Sequence, residues 1–370
     1  MTTWTYVCEQ CDRRESLDAP IWRCPACGGA LALDGPNQLT PETIAADDRT
    51  LWRYAAVLPV AREDARSLGE GMTPLIARTL GGHAVWFKLD ALLPTGSFKD
   101  RGAAVLVAHL RRLDLTRVIV DSSGNAAAAM AGYSAAAGLD CTVYAPATTS
   151  PGKLVQSRAF GATVKLIEGD REAVARAAQE AAAADAGAFY ASHNWHPVFV
   201  EGVKTWALEV WEQLGGQVPS LAFIPTGGGS AFVGAWRGFS AVGALPRLVA
   251  AQPVACAPIV GAYERGEPMV VTPGATLAEG TRIGAPARTA QILAALRESD
   301  GWAEAVSEEQ LIAALRELWA QGLYVEPTCA IAAAACRAFL DRTDAPPIVP
   351  PVVLLTGSGL KATEAIAKLL

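Results

Sequence analysis

Residues 94–102 read PTGSFKDRG, a turn-like stretch that opens directly into a helical pattern over 100–112. Lys99 therefore stands at a helix N-terminus, where the helix dipole disfavours an ammonium ion and should lower the pKa of the amine. An amine with a lowered pKa is suited to form a Schiff base with a carbonyl group. The alternative is a surface lysine in a capped first turn, and this stretch alone leaves both interpretations open.

On the C-terminal side of this stretch, short β-branched runs alternate with Ala- and Leu-rich helical patterns. The strand candidates are Val118–Val120, Cys141–Tyr144, Val164–Ile167, Leu221–Ile224, Leu248–Ala251 and Val352–Leu355. The helical patterns lie near Asp100–Arg112, Asn125–Ala137, Lys153–Phe160, Glu172–Ala184, Val203–Leu214, Glu308–Trp319 and Thr328–Leu340. Such alternation predicts parallel sheets covered by helices, because parallel strands need long crossovers. Ligands bind beyond the carboxyl ends of such strands.

Three loops that follow these strands are rich in Gly and Ser. Residues 121–126 read DSSGNA, and their polar side chains can cap the next helix or hydrogen-bond the oxygen of a bound ring. Residues 226–230 read TGGGS, where successive backbone N–H groups at a helix N-terminus can hold a phosphate, although a flexible turn is the alternative. Residues 356–361 read TGSGLK, and the first hydroxyl can bond a ring nitrogen or cap a helix.

The motifs PTGSFKDRG, SSGN, TGGGS and TGSGLK, in this order and spacing, resemble those of threonine synthase and its relatives among the fold-type II enzymes that use pyridoxal phosphate (PLP). The resemblance covers nearly the whole chain. It implies an α/β fold of the tryptophan synthase β-like class, with two open parallel-sheet lobes. It also implies that Lys99 carries PLP as a Schiff base, that Asn125 binds the ring hydroxyl and that Thr356 faces the ring nitrogen. The phosphate would be held by Gly227, Gly228, Gly229 and Ser230.

The resemblance also implies which residues contact the substrate. Ser123 and Gly124 would bind its carboxylate, and His193 and Asn194 lie where the family has substrate-contacting residues. Threonine synthases grip the substrate's phosphate with a Thr, an Asn–Ser pair and an Arg. The matching positions here are Ala126, the pair His193 and Asn194, and Phe199.

An arginine gives bidentate, charge-assisted bonds to phosphate that a phenylalanine cannot replace. Two alternatives therefore remain for O-phosphohomoserine: it is bound by a rearranged basic site, or it is not the physiological substrate. The residues that can supply such a basic site are Lys153, Lys204, Arg282 and protonated His193 or His196.

Four of the eight cysteines form two pairs near the N-terminus, Cys8-x-x-Cys11 and Cys24-x-x-Cys27. Four thiolates with this spacing predict a closed tetrahedral zinc site of structural type. A nucleic-acid-binding ribbon is the alternative, but its arginines are few and mixed with acids. The predicted domains are a zinc ribbon over residues 1–35 and a PLP-binding region over 36–370, with a smaller lobe at about 96–200.

The composition is that of a globular enzyme, because 51% of the 370 residues are apolar and 18% are charged. A net charge of −6 does not favour binding to nucleic acid, whose backbone is also negatively charged. We expect no signal peptide, since residues 1–7 hold no basic segment followed by an apolar run, and no membrane span. We therefore expect a cytoplasmic protein, and fold analogy predicts a homodimer.

The expected function is that of a PLP-dependent lyase acting at the side chain of a small amino acid. The resemblance favours threonine synthase chemistry, which converts O-phosphohomoserine to threonine and phosphate. A serine or threonine ammonia-lyase, or a PLP-dependent β-replacement enzyme, is the alternative within the enzymes. From a different class, the chain can be a zinc-ribbon binding protein on a catalytically silent fold, but the presence of Lys99 argues against this.

Overall fold

The computed structural model describes residues 4–343 and 347–370, which divide into two units. Unit 1 comprises Met1–Gly71, of which the first three residues lie outside the described part, and Lys99–Val203. Unit 2 comprises Met72–Phe98 and Lys204–Leu370. Because the chain passes between the units three times, neither is a continuous stretch of sequence.

The strands and helices are numbered in chain order. The strands are β1 (Thr5–Cys8), β2 (Arg14–Ser16), β3 (Leu31–Asp34), β4 (Leu75–Leu80), β5 (His83–Lys88), β6 (Arg117–Val120), β7 (Asp140–Pro146), β8 (Thr163–Ile167), β9 (Ala188–Tyr190), β10 (Leu221–Pro225), β11 (Arg247–Pro253), β12 (Trp302–Val306) and β13 (Val352–Leu354). The α-helices are α1 (Lys99–Arg112), α2 (Asn125–Ala137), α3 (Pro151–Ala159), α4 (Arg171–Ala183), α5 (Pro197–Val203), α6 (Thr205–Gln213), α7 (Ser230–Ala241), α8 (Pro258–Arg265), α9 (Thr289–Glu298), α10 (Glu308–Ala320), α11 (Pro327–Asp341) and α12 (Thr363–Ala367).

Unit 1 begins with a three-stranded antiparallel sheet in the order β2-β1-β3, which we call the N-terminal ribbon (residues 4–35). Side chains of β1 alternate between the two faces, as in a half-buried strand, so Tyr6 and Cys8 are both buried. Residues 36–68 contain only short 3₁₀ helices, as expected from their polar, Pro-punctuated sequence.

The rest of unit 1 is a parallel four-stranded sheet in the order β8-β7-β6-β9. Its strands are mostly apolar runs, because helices cover such sheets on both faces. Helix α5 packs closely on α1, where a Cβ atom at Gly102 would lie 2.6 Å from Cγ of Phe199. This close approach fixes the position of Phe199 relative to the first turn of α1.

Unit 2 contains a six-stranded sheet in the order β12-β11-β10-β13-β5-β4, parallel except for β4, which pairs antiparallel with β5 at the edge. The Ala-rich helix α11 lies over this sheet, and its residues 329–336 are all buried. Alanine side chains are small, so the backbone of α11 can approach the sheet closely. Its Ala-rich sequence predicts a helix without a polar face.

One predicted helix is divided in the structure. The pattern over Val203–Leu214 predicts a single helix, but α5 ends at Val203 and α6 begins at Thr205. The chain passes from unit 1 to unit 2 at this point. Both helices are buried on nearly all sides at the junction, so their hydrophobic pattern continues across the break and does not reveal it.

Candidate active site

Lys99 is the first residue of α1, as its motif predicts. The residues before it are tied to the loop after β13, because the Phe98 N–H donates to the Thr356 carbonyl at 2.9 Å. Ser97 forms a β-bridge with Gly357, and the hydroxyl of Ser97 is buried without a hydrogen-bond partner. The backbone leading into Lys99 is therefore fixed, and it carries one buried hydroxyl for which the protein supplies no partner.

Thr356 is 2% exposed, and its side chain contacts a cysteine that no sequence motif indicates. Its Oγ1 lies 3.5 Å from Sγ of Cys329, which is the third residue of α11. The same sulfur accepts from the Gly357 N–H at 3.2 Å, and burial raises the pKa of the thiol to about 12. The neutral Cys329 thiol therefore holds the loop that carries the Thr356 hydroxyl.

The loop between β10 and α7 is shaped by two glycines. A Cβ at Gly227 would lie 2.9 Å from the Gly280 carbonyl oxygen, and a Cβ at Gly229 would lie 2.6 Å from Cδ1 of Ile292. Gly229 also has φ +92°, a conformation that favours glycine. No side chain caps the N-terminus of α7, which begins at Ser230. The two glycines therefore let this loop pack tightly on its neighbours, and the uncapped N-terminus of α7 is the feature that suits an anion.

The loop after β6 precedes α2 directly, which begins at Asn125. No side chain caps α2, since Gly124 is the N-cap residue and the Ser122 hydroxyl accepts from the Gly124 N–H at 3.3 Å. Capping therefore does not account for the polar residues of this loop. Ser123 and Asn125 are half-buried and Gly124 is exposed, and all three belong to unit 1 with Lys99.

His193 lies close to Lys99 within unit 1. It is 8% exposed, and its Nδ1 is buried without a hydrogen-bond partner. The Phe199 ring centroid is 5.9 Å from the His193 ring centroid and 5.8 Å from Nζ of Lys99. Burial, together with the positive charges of Lys99 and Arg171, holds the pKa of His193 well below its usual value. The charged form of His193 is therefore disfavoured in these surroundings, so this side chain is poorly suited to bind a phosphate group as a cation.

The structure also excludes His196 from that role. Its Nδ1 accepts a hydrogen bond from the Val198 N–H at 3.3 Å, and its Nε2 lies 3.5 Å from the Tyr6 hydroxyl. A ring nitrogen that accepts a hydrogen bond carries no proton, so His196 is neutral. The prediction that a protonated His193 or His196 grips phosphate therefore finds no support in these surroundings.

The other basic residues that the sequence suggests for a phosphate-binding site differ in their exposure. Lys153 and Arg282 are exposed, and Lys204 is completely buried in unit 2. Sequence reasoning missed Arg171, whose side chain is 51% exposed and pairs with Asp121 at 2.8 Å. No motif pointed to Arg171, because it lies 50 residues from its partner.

The four N-terminal cysteines converge in the N-terminal ribbon. Their sulfurs all lie within 4.8 Å of one another, with Cys8 and Cys27 3.4 Å apart and Cys11 and Cys24 3.7 Å apart. A disulfide requires about 2.05 Å, so these are free thiols. Among the described residues, this is the only group of three or more potential metal ligands found.

Comparison with known proteins gives consistent results. A family model described as "Pyridoxal-phosphate dependent enzyme" matches residues 66–357. The threonine synthase of Methanosarcina acetivorans is 31% identical over 378 residues, covering 97% of this chain and 92% of the relative. The threonine synthase of Methanocaldococcus jannaschii is 31% identical over 379 residues, covering 97% and 93%.

Solved structures of related fold were also found. Maize serine racemase superposes with a TM-score of 0.71 at 20% identity, covering 80% of this chain and 92% of that one. An L-serine ammonia-lyase from the fungus Rhizomucor miehei gives 0.71 at 21% identity, covering 80% and 98%. These similarities confirm the predicted α/β fold class.

Proposed function

Because this chain belongs to the pyridoxal-phosphate-dependent enzymes, and within them to the threonine synthase family, we propose that it is a lyase that uses Lys99 to act on the side chain of a small amino acid. The observation that carries the proposal is the backbone pairing of the segment before Lys99 with the Thr356 loop. This pairing connects the PTGSFKDRG motif, which contains the Lys99 amine, to the TGSGLK motif, which contains the buried Thr356 hydroxyl. A catalytically silent binding protein is not favoured by the family match.

The residues of the chain fit PLP. The glycines at 227 and 229 leave no room for side chains, and α7 begins without a side-chain cap, so the loop can hold the phosphate through Gly227, Gly228, Gly229 and Ser230. Thr356 would meet the ring nitrogen, and Asn125 would meet the ring hydroxyl. PLP, when bound, acts as an electron sink that makes the Cα proton of an amino acid acidic.

The residues around Lys99 support its role as the group that takes and returns this proton. Lys99 is the first residue of α1, so its amine stands at the helix N-terminus. The buried Phe199 ring places an apolar wall beside the amine. Ser123 and Gly124 would bind the substrate carboxylate at the N-terminus of α2, whose N-cap residue, Gly124, has no side chain to cap the helix.

For the substrate, the sequence resemblance and the structure point to different candidates. Threonine synthase relatives favour O-phosphohomoserine, with loss of phosphate and addition of water at Cβ to give threonine. The second candidate, a serine or threonine ammonia-lyase reaction, is favoured by the neutral His193 and the apolar Phe199 near Lys99. A dianionic phosphate gains little from a neutral imidazole or an apolar ring, which leaves Arg171 as the charged side chain near His193, whereas a hydroxyl group needs no cation.

The experiment that separates the candidates compares kcat/KM for O-phosphohomoserine, threonine, serine and O-acetylserine. Threonine synthase chemistry predicts release of phosphate and threonine from O-phosphohomoserine with the highest kcat/KM of the panel. Ammonia-lyase chemistry predicts a 2-oxo acid from serine or threonine instead. Phosphate release without threonine formation, or no turnover with any substrate of the panel, would contradict both assignments.

We also propose that Cys8, Cys11, Cys24 and Cys27 bind one structural zinc ion. A tetrahedral site with Zn–S bonds of about 2.3 Å places its sulfurs about 3.8 Å apart. The observed separations of 3.4 and 3.7 Å are close to this value. Four thiolates leave no open coordination position, so the ion would have no direct part in the reaction.

The remaining expectations are part of the same proposal. We propose a homodimer that works in the cytoplasm and binds neither nucleic acid nor membranes. The net charge of −6 supports the absence of nucleic-acid binding. In the described part of the chain, no helix reaches the length and apolarity of a membrane span. The ribbon at 1–35 and the lobe at about 96–200 stay predictions as domain boundaries.

A further inference from the structure

Two aromatic side chains of the N-terminal ribbon contact the segment that directly follows His193 and Asn194. The Tyr6 hydroxyl lies 3.0 Å from Nε2 of His109 and 3.5 Å from Nε2 of His196, and these three residues are completely buried. On the other side, the Trp22 ring packs edge-on against Trp195, with centroids 5.7 Å apart. All of these residues belong to unit 1.

The polarity of the buried hydrogen bonds follows from the surrounding backbone. Because Nδ1 of His196 accepts from Val198, the ring proton of His196 lies on Nε2 and is donated to the Tyr6 oxygen. The Tyr6 hydroxyl then donates to Nε2 of His109, whose neutral form is favoured because burial lowers its pKa to about 3. Tyr6 is therefore the middle member of a chain that joins the ribbon, α1 and residue 196.

The position of His196 determines the conformation of the turn that precedes it. The N–H groups of Trp195 and His196 both donate to the Ser192 carbonyl, at 3.1 and 2.9 Å, and the Phe199 N–H donates to the His196 carbonyl at 3.2 Å. The turn thus encloses residues 193 and 194, and the same backbone leads into the first turn of α5 with Phe199. A shift of His196 would move His193 and Phe199 relative to Lys99.

We propose that Tyr6 and Trp22 are positioning residues, through which the ribbon holds His193 and Asn194 in the geometry that binds the substrate. This inference rests on the proposed function, since it assigns the ribbon a part in substrate binding. If the ribbon only stabilised the fold, its contacts would not be directed at the residues next to His193 and Asn194. Besides their contacts with Tyr190 and His109, the two aromatic residues contact Trp195 and His196 from two sides.

The test uses Tyr6→Phe, which removes one hydroxyl and keeps the ring, in the zinc- and PLP-loaded protein. The apparent Kd of the amino-acid substrate, read from the change in cofactor absorbance, should rise about five- to tenfold, because the variant removes both hydrogen bonds of the Tyr6 hydroxyl and leaves the His196 N–H without its acceptor. KM should rise in parallel, while kcat, zinc content and PLP content stay close to wild type. Hydrogen–deuterium exchange should be faster in peptides covering residues 190–199.

Asp18→Asn is the matched control. Asp18 pairs with Arg112 at 2.6 Å and so joins the ribbon to α1, but this exposed pair does not contact residues 192–196. The control should leave the substrate Kd and the exchange of this segment unchanged. Trp22→Ala tests the second contact and should increase the substrate Kd in the same direction as Tyr6→Phe.

The outcomes separate this inference from the function on which it rests. A wild-type protein that binds no PLP, or whose cofactor spectrum responds to no amino acid, would refute the proposed function and this inference with it. A responsive wild type, combined with an unchanged substrate Kd in Tyr6→Phe and Trp22→Ala, would overturn only the positioning role. An equal increase in Kd in Asp18→Asn would also overturn it, because the effect would then belong to ribbon docking in general.

Discussion

Gly102→Ala changes the contact between α1 and α5 by a single methyl group. A Cβ atom at this position would lie 2.6 Å from Cγ of Phe199, whereas non-bonded carbons pack at about 3.5 Å or more. The Phe199 ring must therefore retreat by about 1 Å. Since the ring is 5.8 Å from Nζ of Lys99 and 5.9 Å from His193, the retreat disturbs the surroundings of both groups.

The expected loss of activity exceeds the expected loss of stability. Overpacking costs about 1–3 kcal/mol, and replacing a helical glycine by alanine returns up to about 1 kcal/mol, so the net destabilisation is about 0–2 kcal/mol. A misplacement of about 1 Å near the reacting groups can lower kcat/KM about a hundredfold. Steady-state kinetics and thermal unfolding of the same preparation measure the two effects.

Two further variants make this comparison decisive. Gly152→Ala, at an exposed position in α3, is the control for helix propensity and should retain activity. Gly102→Ala combined with Phe199→Leu restores space and should recover stability, but it should not recover the original wall beside Lys99. A folded Gly102→Ala variant with wild-type kcat/KM would refute the reasoning that places Phe199 at the reaction site.

Three other predictions follow from the same structure. Cys27→Ser should lower the zinc content below one per chain and loosen the ribbon while PLP absorbance persists, because the four sulfurs belong to the ribbon alone; equal loss of PLP would contradict this. Cys329→Val should alter the cofactor absorbance spectrum with little change in PLP content, because it frees the Thr356 hydroxyl from its sulfur contact; an unchanged spectrum would count against the role of Thr356. Burial lowers the pKa of His109 in the folded protein to about 3, below its unfolded value of about 6.5. The neutral imidazole therefore stabilises the folded protein fully above pH 6.5. This contribution to the free energy of unfolding falls by about 1.4 kcal/mol for each pH unit between these two pKa values. Thermal unfolding at pH 7 and pH 5 should show a smaller pH-dependent loss in His109→Gln, and an identical loss would show that His109 does not titrate in this way.

The sequence predicts the elements around the motifs well, because these are the regular parts of the fold. Each β-branched run predicted to be a strand corresponds to a strand, and α2 has the predicted bounds. The strands that the sequence did not indicate are β4, β5, β9 and β12, together with the three strands of the ribbon. They are short or lie at sheet edges, or they are half-buried, so they lack a continuous apolar run.

The site residues that sequence reasoning missed are those defined by contacts between distant parts of the chain. Tyr6 meets His109 and His196 across 103 and 190 residues, and no local pattern can indicate such a pairing. Cys329 stands in an Ala-rich helix, where a cysteine is most simply a core residue. The proposed change in substrate contacts, in contrast, follows from the motif order, because the resemblance places His193 and Phe199 at positions where threonine synthases have polar residues.

The central claim is that Lys99 carries the cofactor and moves the Cα proton, and Lys99→Ala tests it most directly. The account predicts a folded protein with normal zinc content that has lost the visible absorbance of lysine-bound PLP and at least about a hundredfold of kcat. Lys368→Ala, at an exposed position at the C-terminal end of α12, should behave as wild type. Wild-type-like turnover in Lys99→Ala, or a retained lysine–PLP spectrum, would contradict the account.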